Sequence, residues 1–289
     1  MIVEIDPKSG FCFGVVRAIS EAERALATSG EAVYSLGDIV HNRIEVQRLE
    51  QLGLHAISHE QMSLAANKRL LIRAHGEPPT TYQRAAQLGS TVIDATCPVV
   101  AKLQQRVKMA HDRMRQVGGS VVLLGKRGHA EVVGLTGQAD DEVQVVENEA
   151  DLDQVDFAKP IYFLSQTTQS ISLFERLAQL LRERAADESQ VEVCDTICRQ
   201  VSSREGHLRE FVRQFDVILF VCGRKSSNGR VLYELCCEES ANCYNIESEE
   251  ELRREWFEGR ASVGICGATS TPAWLMERVA EAVENLELG

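Results

Sequence analysis

At 289 residues, 44% hydrophobic and 26% charged, the chain exceeds one ordinary domain and has the composition of a soluble globular protein with ample core material. A formal net charge of −12 argues against nucleic acid, because phosphate-backbone binding needs clustered Lys and Arg. No apolar run approaches the roughly twenty residues that cross a bilayer. MIVEIDPKSGFCFG lacks the basic head and apolar stretch of a signal peptide, so a cytoplasmic protein with no membrane partner is expected.

In chain order, residues 1–12 (MIVEIDPKSGFC) read as an apolar strand, an Asp-containing turn and a cysteine. A helix follows, with Val15, Ala18, Ala22 and Ala25 on one face at steps of three and four. Next come a β-rich run that ends in Gly and a polar loop (33–42, VYSLGDIVHN), a short strand (54–58, LHAIS), and a strand entering a polar turn (70–79, LLIRAHGEPP).

The layout then recurs. TVIDATC (91–97) leads to a helix with Val100, Leu103, Val107 and Ala110 on one face. Pro98 suits its first position and makes Cys97 an N-cap candidate. VVLLGKRGHAE (121–131), VQVVE (143–147) and IYFLSQTTQS (161–170) follow. The third pass is VEVCDTIC (191–198), then Val201, Leu208 and Phe211 with Arg204 breaking the set, then VILFVCGRKSSN (217–228), CYNIE (243–247) and VGICGATSTP (263–272). Each pass reads as about four strands alternating with helices, hence a small parallel α/β sheet with ligand loops beyond the C-terminal strand ends. The frames are 1–97, 98–194 and 195–289.

Reactive residues fall at equivalent points of the three passes. Cys12, Cys97 and Cys198 share one position. His41, His129 and the run Ser226, Ser227, Asn228 share a second, and His75, the pair Thr167 and Thr168, and the pair Thr269 and Ser270 share a third. Packing of the repeats about a pseudo-threefold axis would bring these loops to one central site. Nine cysteines, odd in number and without a C-x-x-C pair, suit reduced thiols or metal ligands better than disulfides. Cys194, Cys222 and Cys266 lie in apolar strand runs and read as core, while Cys236, Cys237 and Cys243 lack counterparts and read as structural.

Three converging cysteines without a fourth fit either a zinc site completed by His or water, or a four-iron cluster with one open iron. The surrounding hydroxyls, amides and imidazoles, with helix starts at Pro78–Pro79 and Thr271–Pro272, suit a phosphate or diphosphate and require no lysine cluster. His55, His59, His111 and His207 fall outside the repeated positions and read as ordinary surface histidines.

The stretches GFCFGV, GDIVHN, AHGEPP, DATCP, GHAEV, SQTT, DTIC, SSN and TSTP, running from Gly10 to Pro272 in this order, resemble the 4-hydroxy-3-methylbut-2-enyl diphosphate reductases of the non-mevalonate isoprenoid pathway. The resemblance implies a pseudo-threefold trefoil of three α/β domains around a [4Fe-4S] cluster held by Cys12, Cys97 and Cys198, with one iron open. It implies a diphosphate pocket of His41, His75, His129, Ser226, Ser227, Asn228 and Ser270. Glu131 and Thr167 would handle the substrate hydroxyl, with Thr168 close by and His129 beside them. The activity implied is reductive removal of that hydroxyl to yield isopentenyl and dimethylallyl diphosphate. The chain departs from many members at Ala130, where Pro is usual, and at Val201, where a hydroxyl residue is usual. No flavin or nicotinamide fingerprint is present, so electrons are expected from reduced ferredoxin or flavodoxin. A closed trefoil needs no partner to complete its site, so a monomer is expected. The competing readings are an open-iron lyase of quinolinate-synthase type and a non-enzymatic iron–sulfur or zinc redox sensor.

Overall fold

The computed structural model describes residues 1–29 and 32–286. The strands are β1 (Ile2–Ile5), β2 (Val33–Leu36), β3 (Leu54–Ile57), β4 (Arg69–Ile72), β5 (Thr91–Asp94), β6 (Ser120–Leu124), β7 (Gln144–Val146), β8 (Ile161–Ser165), β9 (Val191–Val193), β10 (Val217–Val221), β11 (Cys243–Ile246) and β12 (Ser262–Gly267). The helices are α1 (Phe13–Ser29), α2 (Arg43–Gln51), α3 (Pro79–Gln87), α4 (Pro98–Val117), α5 (Ala130–Thr136), α6 (Ile171–Arg184), α7 (Arg199–Ser202), α8 (Arg204–Val212), α9 (Ser227–Glu239) and α10 (Ala273–Glu284). None of the described helices is long and apolar enough to cross a membrane.

The strands form three parallel four-stranded sheets, in the orders β1-β12-β10-β11, β3-β2-β4-β5 and β7-β6-β8-β9. The three orders are one topology repeated. In each, the strand that precedes Cys12, Cys97 or Cys198 is an edge strand, and the order reverses between the two central strands. Such a reversal leaves a crevice beyond the strand ends, where ligands bind. The sheets run one strand out of step with the sequence repeats, because β1 pairs in register with β12 from the far end of the chain (Ile2 with Ser262, Ile5 with Ile265).

The chain divides into two compact units. The first comprises Met1–Ile19, Asp38–Gly53 and Arg199–Gly289. Its sheet is covered on both faces. Ile218 and Phe220 pack with Leu208, Phe211 and Leu232 on one side. Val217, Leu219, Val263 and Ile265 pack with Leu275 and Val279 on the other. The second unit, Ser20–Gly37 and Leu54–Cys198, holds the other two sheets. In one of them Val122, Leu124 and Phe163 meet Phe174, Leu177 and Leu181 of α6, and Val121, Leu123 and Leu164 meet Leu103, Val107 and Ala110 of α4. Adjacent strand residues thus face opposite helices, as the alternation of a strand requires. Each fully buried Leu or Phe contributes about 1.5–3 kcal/mol. The α4 face is the one read from the sequence, and Leu208 and Phe211 of α8 are likewise buried. The side chain of Val201 lies outside the described residues.

Candidate active site

The expected cysteines occupy one local setting three times over. Cys97 caps α4 with Pro98 in the first helical position, and its N–H donates to Ala74 O, just after β4, at 3.0 Å. Cys198 directly precedes α7, and its N–H donates to Thr167 O, just after β8, at 2.8 Å. Cys12 directly precedes α1, and its N–H donates to Thr269 O, just after β12, at 3.2 Å. Every one of these backbones is thus pinned to the loop that follows the neighbouring strand. None of the three is in a disulfide, and all are of intermediate exposure at a helix start, where the helix dipole favours negative charge. Cys222, Cys236, Cys243 and Cys266 are buried instead, and burial pushes the Cys222 thiol up to about 11 and raises that of Cys266. Inert core thiols behave this way. Cys194 is only partly buried, with Arg106 Nη1 at 2.6 Å from its sulfur, and Cys237 is exposed.

In the second unit, Glu131 sits in the first turn of α5 and is only 2% exposed. Its Oε1 accepts from Thr167 N and its Oε2 from Thr167 Oγ1, both at 2.8 Å. Burial pushes the carboxyl up to about 7, although the two Thr167 bonds act in the opposite direction. His129 caps the same helix. Its Nδ1 accepts from Glu131 N at 3.2 Å and from Gln166 Nε2 at 3.1 Å, which leaves Nε2 as the donor nitrogen. Gln166 is fully buried and ties the group together. Its Oε1 accepts from Lys126 N and its Nε2 donates to Thr168 Oγ1, each at 3.1 Å. The His75 ring stands edge-on to that of His129, with centroids 5.4 Å apart. Sequence reasoning passed over Gln166, although it lies inside the SQTT stretch already singled out.

In the first unit, Ser226 caps α9. Its Oγ accepts from Gly229 N and from Ser270 Oγ, both at 3.0 Å. Asn228 Oδ1 accepts from Thr269 N at 3.0 Å and from Thr269 Oγ1 at 2.8 Å, which turns its amide nitrogen the other way. Asn228 is therefore bonded to Thr269 rather than Ser270. The Ser227 hydroxyl oxygen is buried and has no hydrogen-bond partner among the described residues. An orphaned donor at the start of a 13-residue helix is what an anion-binding site leaves when its ligand is not counted. His41 precedes Asn42, the N-cap of α2, and its carbonyl packs so closely on Gly223 that no side chain fits there. A cleft of about 420 Å³ is lined by His41 and Asn42 with both cations (Arg43, Arg224, Lys225) and carboxylates (Asp38, Glu50, Glu247).

Three of the histidines read as ordinary surface residues are bonded to carboxylates instead. His111 Nε2 lies 2.8 Å from Glu142 Oε2, and His207 Nε2 lies 2.7 Å from the buried Asp6. His59 is bonded too, to Glu77 at 2.7 Å, and that bond raises its pKa.

Three parallel sheets of one topology, with a cysteine at each edge-strand end and donors at each reversal point, define a repeat-built α/β protein, and the LytB protein family model matches residues 3–284. The chain belongs to that family. A 4-hydroxy-3-methylbut-2-enyl diphosphate reductase of Parabacteroides distasonis is 46% identical over 284 residues, covering 98% of each chain. The reductase of the same name from Chlorobaculum tepidum is 42% identical, covering 96% of this chain and 94% of its own. Among solved structures, (E)-4-hydroxy-3-methyl-but-2-enyl diphosphate reductase, described as the terminal enzyme of the non-mevalonate pathway, matches with 34% identity and a TM-score of 0.73 over 99% of this chain and all of that one. The Plasmodium falciparum E-1-hydroxy-2-methyl-but-2-enyl-4-diphosphate reductase matches with 25% identity and a TM-score of 0.88, covering 99% and 89%.

Proposed function

We propose that this chain carries out the reaction for which its relatives are named, the reductive dehydroxylation of 4-hydroxy-3-methylbut-2-enyl diphosphate to isopentenyl and dimethylallyl diphosphate. The balance is one hydroxyl lost as water against two electrons and two protons gained. The observation that carries this reading is the Glu131–Thr167 pair: a buried carboxyl, poised near neutral pH, bonded through both oxygens to a hydroxyl residue.

The donor set fits an iron–sulfur cluster, since Cys12, Cys97 and Cys198 are outside any disulfide, partly exposed and alike in their backbone setting, whereas Cys222, Cys236, Cys243 and Cys266 are buried. When bound, a [4Fe-4S] cluster held by these three residues supplies the electron route and a Lewis-acidic open iron. The chain supplies the rest. Glu131 in its acid form passes a proton through the Thr167 hydroxyl to the departing oxygen, and Thr168, oriented by Gln166, borders the same point. The diphosphate takes donors from Ser227, from the Asn228 amide nitrogen, from Ser226 and Ser270, and from the imidazoles of His41, His75 and His129. Fixing both ends of a five-carbon substrate removes much of the entropy cost of reaching the transition state. Of the repeats, 1–97 holds Cys12, His41 and His75 and ends on Cys97, 98–194 holds His129, Glu131 and Thr167, and 195–289 holds Cys198, Ser226, Asn228 and Ser270. Reduced ferredoxin or flavodoxin delivers electrons to a monomeric, cytoplasmic enzyme.

The test is anaerobic reconstitution with iron and sulfide, followed by substrate and reduced methyl viologen. Substrate-dependent dye oxidation with both five-carbon diphosphates as products supports the reading. A loaded cluster without such oxidation would overturn it in favour of a lyase or a sensor.

A further inference from the structure

The connection from β4 to α3 (residues 73–78) does two tasks in the second unit. It carries His75, and it supplies the Ala74 carbonyl that holds Cys97 N–H. It turns at Gly76, whose φ of +69° only glycine adopts without strain and where an added Cβ would lie 2.5 Å from Gln104 Nε2. A turn through glycine has no side chain of its own to stiffen it, so its rigidity must come from its neighbours. Two come from the side. Gln104 Nε2 and Gln138 Nε2 each donate to Glu77 O at 3.3 Å, and Gly137 packs directly on Pro78.

The third support is a side chain within the connection itself. Glu77 is 3% exposed, and its Oε2 accepts from His59 Nε2 at 2.7 Å and from Thr81 Oγ1 at 3.2 Å. His59 follows β3, on a different loop, and its side chain is 45% exposed. Burying a carboxyl costs free energy that an apolar residue of similar size would not. The return is direction: two bonds from different elements set the loop's position and its rotation, which apolar packing does not. On the reading that His75 binds the substrate's diphosphate, we propose that Glu77, anchored by His59, is a positioning residue that holds the 73–78 connection so that His75 presents its ring to that diphosphate. Neither residue touches substrate; they act through His75.

The experiment compares wild type, Glu77→Ala, Glu77→Gln and His59→Ala in the full chain. One readout is substrate turnover after reconstitution, and the other is amide exchange of the apo protein at Gly76 and Cys97. Glu77→Ala should raise KM about tenfold with kcat within about twofold, because ground-state and transition-state binding weaken together. It should also speed exchange at both amides, which donate to Arg73 O and Ala74 O. Glu77→Gln keeps an acceptor oxygen and should restore most of the loss. An unchanged KM in Glu77→Ala, or a Gln variant as impaired as the Ala variant, would overturn the proposal. If wild type itself shows no substrate-dependent turnover, the reading of His75 fails, yet unchanged exchange in Glu77→Ala would still sink the clamp by itself. Should Glu77→Ala not fold, His59→Ala, which removes only the half-exposed partner, carries the same comparisons.

Discussion

Glu131 sets a cost to the fold against the role proposed for it in the chemistry. Its carboxyl titrates at about 7 in the folded chain against an ordinary 4.5. Below about pH 4.5 it is protonated whether folded or unfolded and imposes no penalty; the penalty grows as pH rises and is complete above about 7, at roughly 3 kcal/mol. Glu131→Gln should therefore melt higher than wild type in the apo form, with a gap that widens from about pH 5.5 to about pH 8. The same variant should lose about 10²–10⁴-fold in kcat, because the acid is gone while the shape remains. Wild-type kcat should fall with pH above about 7, as the protonated fraction falls. Near wild-type turnover by Glu131→Gln would exclude this proton route.

At the scale of the element, the start of α9 allows the proposed ligand binding to be tested apart from folding. The Ser227 hydroxyl oxygen has no partner among the described residues, so Ser227→Ala removes an unsatisfied buried group. Stability should hold or rise, by about 1 kcal/mol at most, while substrate KM rises several-fold. A fall in stability with KM unchanged would make Ser227 a structural residue. Strand β12 has the opposite character. A Cβ at Gly264 would lie 2.7 Å from Phe215 Cδ2 and 2.9 Å from Phe211 Cε1, inside a packed face. Gly264→Ala should destabilise by about 1–3 kcal/mol in denaturant titration, through overpacking alone.

For the molecule as a whole, a ligand that binds only the folded chain stabilises it by mass action. Reconstituted protein should melt above apo protein under anaerobic conditions, and chelating the iron should return the lower melting temperature. Cys97→Ser should abolish cluster absorbance without lowering apo stability by more than about 1 kcal/mol, since its backbone bond to Ala74 does not need the sulfur. An intact cluster spectrum in that variant would remove Cys97 from the ligand set.

Much of this protein is local and so could be read directly. The apolar faces of α4 and α8, the cysteine at each helix start and the threefold recurrence of strand, turn and helix all depend on residues within a few positions of one another. Helical and strand periods express exactly that range of interaction. Pairing of β1 with β12 joins opposite ends of the chain, and no local periodicity encodes it. The group around Glu131 is legible in type but not in wiring. SQTT marks the place, yet that Gln166 joins His129 to Thr168, and that Thr167 meets both carboxylate oxygens, follows only when β8 lies beside β6. Likewise His59 and Glu77 look unrelated as letters 18 apart, until β2 pairs with β3 on one side and with β4 on the other. The sequence by itself determined the elements, the repeat and the candidate residues for chemistry, because these rest on near neighbours. Tertiary structure alone decided burial and hydrogen-bond partnership, and with them which carboxyl is pushed up toward neutral pH and which is bonded to a histidine of another loop.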